Sequence, residues 1–209
     1  MSEIPKYVFE NTMCSEERVI ALDQCLNRVV QDKIEGDFVE CGAWKGGLAA
    51  LMLKYVFEHS LVKKVYVYDT FEGMPKPGIE DSETAMKEFY YYQNWCKASI
   101  EHVRGVLYNV SPRYENFCEL IVGMVEETLE QKKPEKIALI RLDTDWYSST
   151  KKELEVLYPI LSIDGFLLVD DYSDWPGCAK AIDDYFSIIP EEAYTKNLVD
   201  GSLVIQKRS

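Results

Sequence analysis

The stretch Gly36-Asp37-Phe38-Val39-Glu40-Cys41-Gly42-Ala43-Trp44-Lys45-Gly46-Gly47 decides the fold. A short apolar strand climbs to an acidic residue, the backbone turns through glycine, and a helix beginning near Leu48 carries Leu51, Met52, Tyr55 and Val56. Strand, glycine turn and helix in that order make the first crossover of a doubly wound sheet, the place where such folds hold a nucleotide-like cofactor. Glycine suits the turn because a tight bend and a closely approaching ligand both exclude a Cβ. Glu40 sets the sign of the ligand: a carboxylate in the cleft repels a pyrophosphate and suits a cation, such as the sulfonium and ammonium of S-adenosylmethionine. Taken alone, the same stretch also reads as an ordinary strand, turn and helix with a structural glycine.

Working outward, the 209 residues are 47% hydrophobic and 28% charged, the balance of a single soluble domain with a real core. A net charge of −13 excludes nonspecific nucleic-acid binding, because a polyanion would be repelled. No basic start leads into an apolar signal core, and the run Leu48 to Leu53 is too short to span a bilayer. Six cysteines (Cys14, Cys25, Cys41, Cys96, Cys118, Cys178) lie scattered without a CxxC pair, and there are two histidines, which disfavours a thiolate zinc site. A cytoplasmic protein with reduced cysteines and no membrane contact is expected.

Upstream of the crossover, Ser15 is placed to cap a helix with Val19, Leu22, Leu26, Val29 and Val30 at helical spacing, giving a helical N-terminal segment over about 8–33. Downstream, Lys64 to Tyr68 alternates as a second parallel strand and ends at Asp69, a carboxylate suited to the two hydroxyls of a ribose or to a plain strand end. From about 74 to 104 the chain changes character. Prolines and Gly78 form a loop, and Ser82 to Ser99 reads as a helix with Met86, Phe89, Tyr90, Tyr91, Tyr92 and Trp95, either a lid over the pocket or a helix whose aromatics serve the core.

Cys118 to Gly123 reads as a strand, with Glu126 to Leu129 in a turn or short helix. Lys136 to Leu142 is a near-continuous apolar strand of the kind buried mid-sheet. Thr150 and Glu153 suggest a capping box for a helix with Leu154, Leu157 and Leu161 on its apolar face. Gly165 to Val169 is the next buried strand, Ala179 to Phe186 a helix, and Ala193 to Val199 with Ser202 to Lys207 a hairpin turning at Asp200-Gly201. The expected architecture is α/β, a Rossmann-like doubly wound sheet of seven strands in the order 3-2-1-4-5-7-6 with the last strand antiparallel.

Asp143 and Asp145 end one inferred strand, and Asp170 and Asp171 end the next. Ligands of open α/β sheets bind beyond those strand ends, so the four carboxylates converge beside the cofactor. Carboxylates crowded in one crevice repel one another or take up protons unless a cation sits among them. An all-oxygen set selects a hard ion, Mg²⁺ first, with Ca²⁺ or Mn²⁺ as alternatives. The same aspartates also read as caps, Asp145 on the helix and Asp171 on a turn, with no metal.

The segments Gly36 to Gly47, Tyr68-Asp69-Thr70-Phe71-Glu72-Gly73-Met74-Pro75, Leu142-Asp143-Thr144-Asp145-Trp146-Tyr147-Ser148-Ser149-Thr150-Lys151 and Val169-Asp170-Asp171-Tyr172 resemble the macrocin O-methyltransferase family, enzymes of the TylF, MycF and NovP type. Tyr158-Pro159 and Trp175-Pro176-Gly177-Cys178-Ala179-Lys180-Ala181 extend the likeness, which covers most of residues 8 to 187 in the family's order. The resemblance implies a class I methyltransferase fold, S-adenosylmethionine as donor, a divalent metal that is usually Mg²⁺, a sugar hydroxyl as acceptor and a dimer. It implies Asp143, Asp170 and Asp171 as metal ligands and Asp145 as general base. Glu40, Gly42 and Asp69 would hold the cofactor, with Thr12 and Met13 near it and Gly123 and Met124 bordering the adenine. An NAD-dependent dehydrogenase fits less well, because Glu40 and the Gly42-to-Gly46 spacing depart from its glycine fingerprint. A catalytically idle module that binds cofactor or calcium is the remaining alternative.

Overall fold

The computed structural model describes residues 3–92 and 94–209. Among these residues seven strands form one sheet in the order β3-β2-β1-β4-β5-β7-β6. They are β1 (Asp37–Cys41), β2 (Val65–Asp69), β3 (Cys118–Val122), β4 (Ile137–Leu142), β5 (Leu161–Val169), β6 (Tyr194–Val199) and β7 (Ser202–Lys207). The first five run parallel and β7 runs antiparallel between β5 and β6. This is the expected order, with the expected reversal.

Among the described residues there are eight α-helices: α1 (Lys6–Glu10), α2 (Glu16–Gln31), α3 (Gly47–Glu58), α4 (Glu83–Tyr91), α5 (Ile100–Val110), α6 (Val125–Gln131), α7 (Tyr147–Leu157) and α8 (Pro176–Phe186). Alternate strand residues face opposite ways, so each face has its own core. On one, Phe38, Val65, Val67, Leu139 and Phe166 pack under α2, α3 and α5; on the other, Val39, Cys41, Ile140, Leu142, Leu167 and Val169 pack under α6, α7 and α8. Ser15 caps α2 as expected, its hydroxyl accepting from the Arg18 N–H at 3.3 Å. No helix among the described residues is long and apolar enough to cross a membrane.

Several local expectations change. The helix foreseen over Ser82 to Ser99 stops at Tyr91; Asn94 and Cys96 adopt positive φ, and Ser99 caps a separate helix, α5, through the His102 N–H at 3.2 Å. Of the nine residues of α4 only Ala85 is buried, and Tyr90, Tyr91 and Tyr92 are exposed, so those tyrosines serve no core. Thr150 and Glu153 do not cap α7, which starts three residues earlier and buries both inside. Its first turn is capped at long range instead: Asp81 accepts from the Tyr147 N–H at 2.9 Å and from the Gly78 N–H at 2.7 Å. Leu161 belongs to β5, whose nine residues begin before the Gly165 start expected, and α8 begins at Pro176.

Candidate active site

The tips of β1, β2, β4 and β5 meet the N-terminal segment around a cavity of about 270 Å³. Its lining includes every residue singled out in the sequence: Thr12, Met13, Glu40, Gly42, Asp69, Gly123, Met124, Asp143, Asp145, Asp170 and Asp171. Gly42 makes the approach of β1 and β4 possible. Its φ is +80°, and a Cβ there would stand 1.9 Å from the Asp143 carbonyl oxygen. At the start of α3 the Gly47 N–H donates to the Asn11 carbonyl at 3.0 Å, which fixes the chain just before Thr12 and Met13 beside the pocket.

Asp69 is braced by backbone. It accepts from the N–H groups of Ala43 at 2.7 Å, Trp44 at 3.1 Å and Phe71 at 2.7 Å, so it holds the glycine turn in shape while lining the cavity. Each carboxylate oxygen has two acceptor positions, which leaves one, on Oδ1, for a hydroxyl of a ligand. Glu40, 1% exposed, faces Arg141 across the β1–β4 pairing and accepts from its Nη1 at 3.1 Å. Burial pushes its pKa up to about 7 against the pull of Arg141, and its Oε2 is buried without a partner. An unpaired buried carboxylate oxygen calls for a donor from outside the chain. The ammonium of S-adenosylmethionine fits that need.

The four aspartates do converge. Ligand oxygens of Asp143, Asp145 and Asp171 lie within 4.8 Å of one another, and Asp143 and Asp170 form a second such group with the Cys14 sulfur. Asp145, at φ +65°, lies beside Asp171, their carboxylate oxygens within 4.8 Å of one another. Burial raises both, Asp145 to about 7, and raises Asp171 well above the carboxylate range with help from the charges of Asp145 and Asp143. Asp171 Oδ2 is buried without a partner. Neither aspartate caps α7, where Asp81 does that work. An all-oxygen set of clustered carboxylates with an unpartnered buried oxygen is a donor set that fits a hard divalent ion.

Sequence reasoning treated the carboxylates as alone, and they are not. Arg141 Nη2 donates to Asp143 at 2.8 Å and lies 3.2 Å from Asp170 Oδ1, while Arg18 of α2 donates to Asp170 at 3.1 Å and to Asp174 at 2.7 Å. Burial acts to raise the pKa of Asp170, and the two guanidiniums override it and hold the carboxyl below its usual value. Cys14 sits in the same network, 2.9 Å from Arg141, and burial pushes its thiol up to about 12, so it is neutral. Glu153, fully buried, accepts from the Thr144 hydroxyl at 3.0 Å and so grips the Asp143-Thr144-Asp145 tip from behind.

The mouth is aromatic. Trp95, Trp146 and Trp175 pack edge to face with ring centroids 5.3–5.8 Å apart, and Trp95 and Trp175 line the cavity. Trp146 is buried and donates from Nε1 to the Pro75 carbonyl at 2.9 Å, tying the segment after β2 to the start of α7. Trp146 is therefore a packing residue, and no histidine is among the residues that line the cavity.

A family model described as macrocin-O-methyltransferase (TylF) matches residues 3–192. The demethyldecarbamoylnovobiocin O-methyltransferase of Streptomyces niveus is 33% identical over 177 residues, 84% of this chain and 67% of that protein. The 8-demethyl-8-(2,3-dimethoxy-alpha-L-rhamnosyl)-tetracenomycin-C 4'-O-methyltransferase of Streptomyces olivaceus is 34% identical over 181 residues, with the same coverage of both. The solved structure of the O-methyltransferase NovP superposes with a TM-score of 0.83 at 29% identity, covering 95% of this chain and 82% of that one.

Proposed function

The chain belongs to the macrocin O-methyltransferase (TylF) family of S-adenosylmethionine-dependent O-methyltransferases, and we propose that it methylates a hydroxyl of a sugar on a natural product or polysaccharide with the help of a divalent ion. The observation that carries the proposal is the meeting of Asp143, Asp145, Asp170 and Asp171 at the wall of the cavity that Glu40, Gly42 and Asp69 also line. The rhamnosyl group in the name of the Streptomyces olivaceus relative supports a sugar acceptor.

An alcohol is a poor nucleophile because it gives up its proton only at very high pH. Bound S-adenosylmethionine supplies the electrophilic methyl group, and a divalent ion supplies Lewis acidity that stabilises developing negative charge on the acceptor oxygen. Asp143, Asp170 and Asp171 would hold the ion, and Asp145 takes the hydroxyl proton. Asp145 is suited to that task because burial brings its pKa to about 7, near the working pH. Glu40 would pair with the ammonium of the donor through its unpartnered oxygen. Asp69 would accept from a ribose hydroxyl while its backbone bonds keep the turn in shape. Thr12, Met13, Gly123 and Met124 close the sides, and Trp95 and Trp175 present ring faces and edges to the apolar side of a sugar. Orientation of the hydroxyl against the methyl carbon supplies much of the remaining acceleration.

The test is transfer of labelled methyl from S-adenosylmethionine to a panel of methyl glycosides and to catechol, with Mg²⁺ and with EDTA. Ion-dependent label on a glycoside is expected, with Asp145→Asn inactive but normal in S-adenosylhomocysteine affinity. Full transfer in EDTA removes the ion, wild-type turnover of Asp145→Asn removes the base, and label on catechol alone removes the sugar.

A further inference from the structure

Arg141 is a full charge on an otherwise apolar strand, 3% exposed, and none of the chemistry assigned to the pocket uses it. Such a charge is tolerated only with partners. Its guanidinium reaches three carboxylates at the ends of three strands: Glu40 at 3.1 Å, Asp143 at 2.8 Å and Asp170 at 3.2 Å. Asp143 and Asp170 are carboxylates assigned to the ion, and Glu40 is the one assigned to the donor. The atoms of Cys14, Asp143 and Asp170, close enough together to seat a cation, are thus already served by one.

We propose that Arg141 is a positioning residue and built-in counter-cation, which stands in for the divalent ion at Asp143 and Asp170 and, through Glu40, makes ion and donor binding mutually antagonistic. The proposal rests on the ion and donor assignments above. An arriving ion draws Asp143 and Asp170 to itself and repels the guanidinium, leaving Glu40 as its remaining anion. Glu40 is then less available to an ammonium. A donor ammonium at Glu40 works the other way, turning the guanidinium's attraction onto Asp143 and Asp170 against the ion. Coupling of this kind is reciprocal, so either ligand reports it. In the apoprotein the arginine holds the three carboxylates in place. Arg18 shares only Asp170 of the three and reaches it from the rim of the pocket, so it cannot link the two sides.

The test is calorimetric titration of Mn²⁺ into wild type, Arg141→Gln and Arg141→Lys, each with and without S-adenosylhomocysteine, which carries the same ammonium as the donor. Removing a charge some 3 Å from the ligand oxygens should tighten Mn²⁺ binding to Arg141→Gln by about tenfold or more. A residue that merely supported the fold would weaken ion binding or leave it unchanged. In wild type S-adenosylhomocysteine should weaken Mn²⁺ several-fold, and in Arg141→Gln this antagonism should shrink. Retained S-adenosylhomocysteine binding and a cooperative melt certify that the variant is folded. Should Arg141→Gln not fold, Arg141→Lys carries the test, because an ammonium serves fewer carboxylates at once than the fork and should give a smaller gain in Mn²⁺ affinity. Equal or weaker Mn²⁺ binding in a folded variant overturns the inference alone. Absence of Mn²⁺ binding in every protein overturns the ion assignment together with it.

Discussion

Glu153→Gln tests how the aspartate tip is held. Glu153 is fully buried on α7, and both of its oxygens face the Thr144 hydroxyl, at 3.0 and 3.1 Å. Burial raises its pKa from 4.5 to about 8. A carboxyl raised on folding binds a proton that the unfolded chain releases, so its contribution to stability is complete below pH 4.5 and is lost as pH rises to about 8. At about 1.4 kcal/mol for each pH unit between those limits, the loss is on the order of 3–5 kcal/mol. Glutamine keeps the shape and an acceptor for Thr144 but carries no titrating proton. Urea unfolding from pH 4.5 to 9 should therefore give nearly equal stabilities at the acid end and a Glu153→Gln protein more stable by that amount at pH 8.5. Two curves that run parallel over the whole range would refute the reasoning.

Gly42→Ala should destabilise by roughly 2–5 kcal/mol, combining left-handed strain with a backbone clash, and a wild-type melting temperature would contradict the close approach of β1 and β4. Asp81→Ala removes the cap of α7 and should cost about 1 kcal/mol, lowering the melting temperature by about 2–4 °C; no change would mean that water replaces the cap. Asp69→Ala deprives three backbone N–H groups of their acceptor and should weaken S-adenosylhomocysteine by about tenfold or more in calorimetry. Unchanged affinity would show that the turn keeps its shape unaided.

Much of this was legible in the chain because strand tips announce themselves. The runs ending at Glu40, Asp69, Asp143 and Asp170 are apolar and abruptly acidic, and parallel strands aim such ends at one edge, so the cofactor and aspartate residues line a single cavity. The N-cap of α2 and the Asp200-Gly201 hairpin turn are local chemistry and held for the same reason. What failed was non-local. Thr150 and Glu153 have capping-box spacing, and the cap that forms comes from Asp81, far along the chain. The aromatic run to Trp95 suggested one helix, and the positive φ at Asn94 and Cys96 that ends it has no glycine to mark it. Arg141 was the missed signal: a guanidinium inside an apolar strand must find anions, and its neighbours on the adjoining strand ends were already known to be acidic. Arg18 gave no such sign, since its place on α2 reads as an exposed helical charge.

The most direct measurement is an anomalous difference map from crystals grown with Mn²⁺ and S-adenosylhomocysteine. The account predicts one strong peak in the cavity, bonded to Asp143, Asp170 and Asp171, next to a ligand whose ammonium meets Glu40 and whose ribose meets Asp69. A fully occupied S-adenosylhomocysteine with no peak among the four aspartates would contradict it.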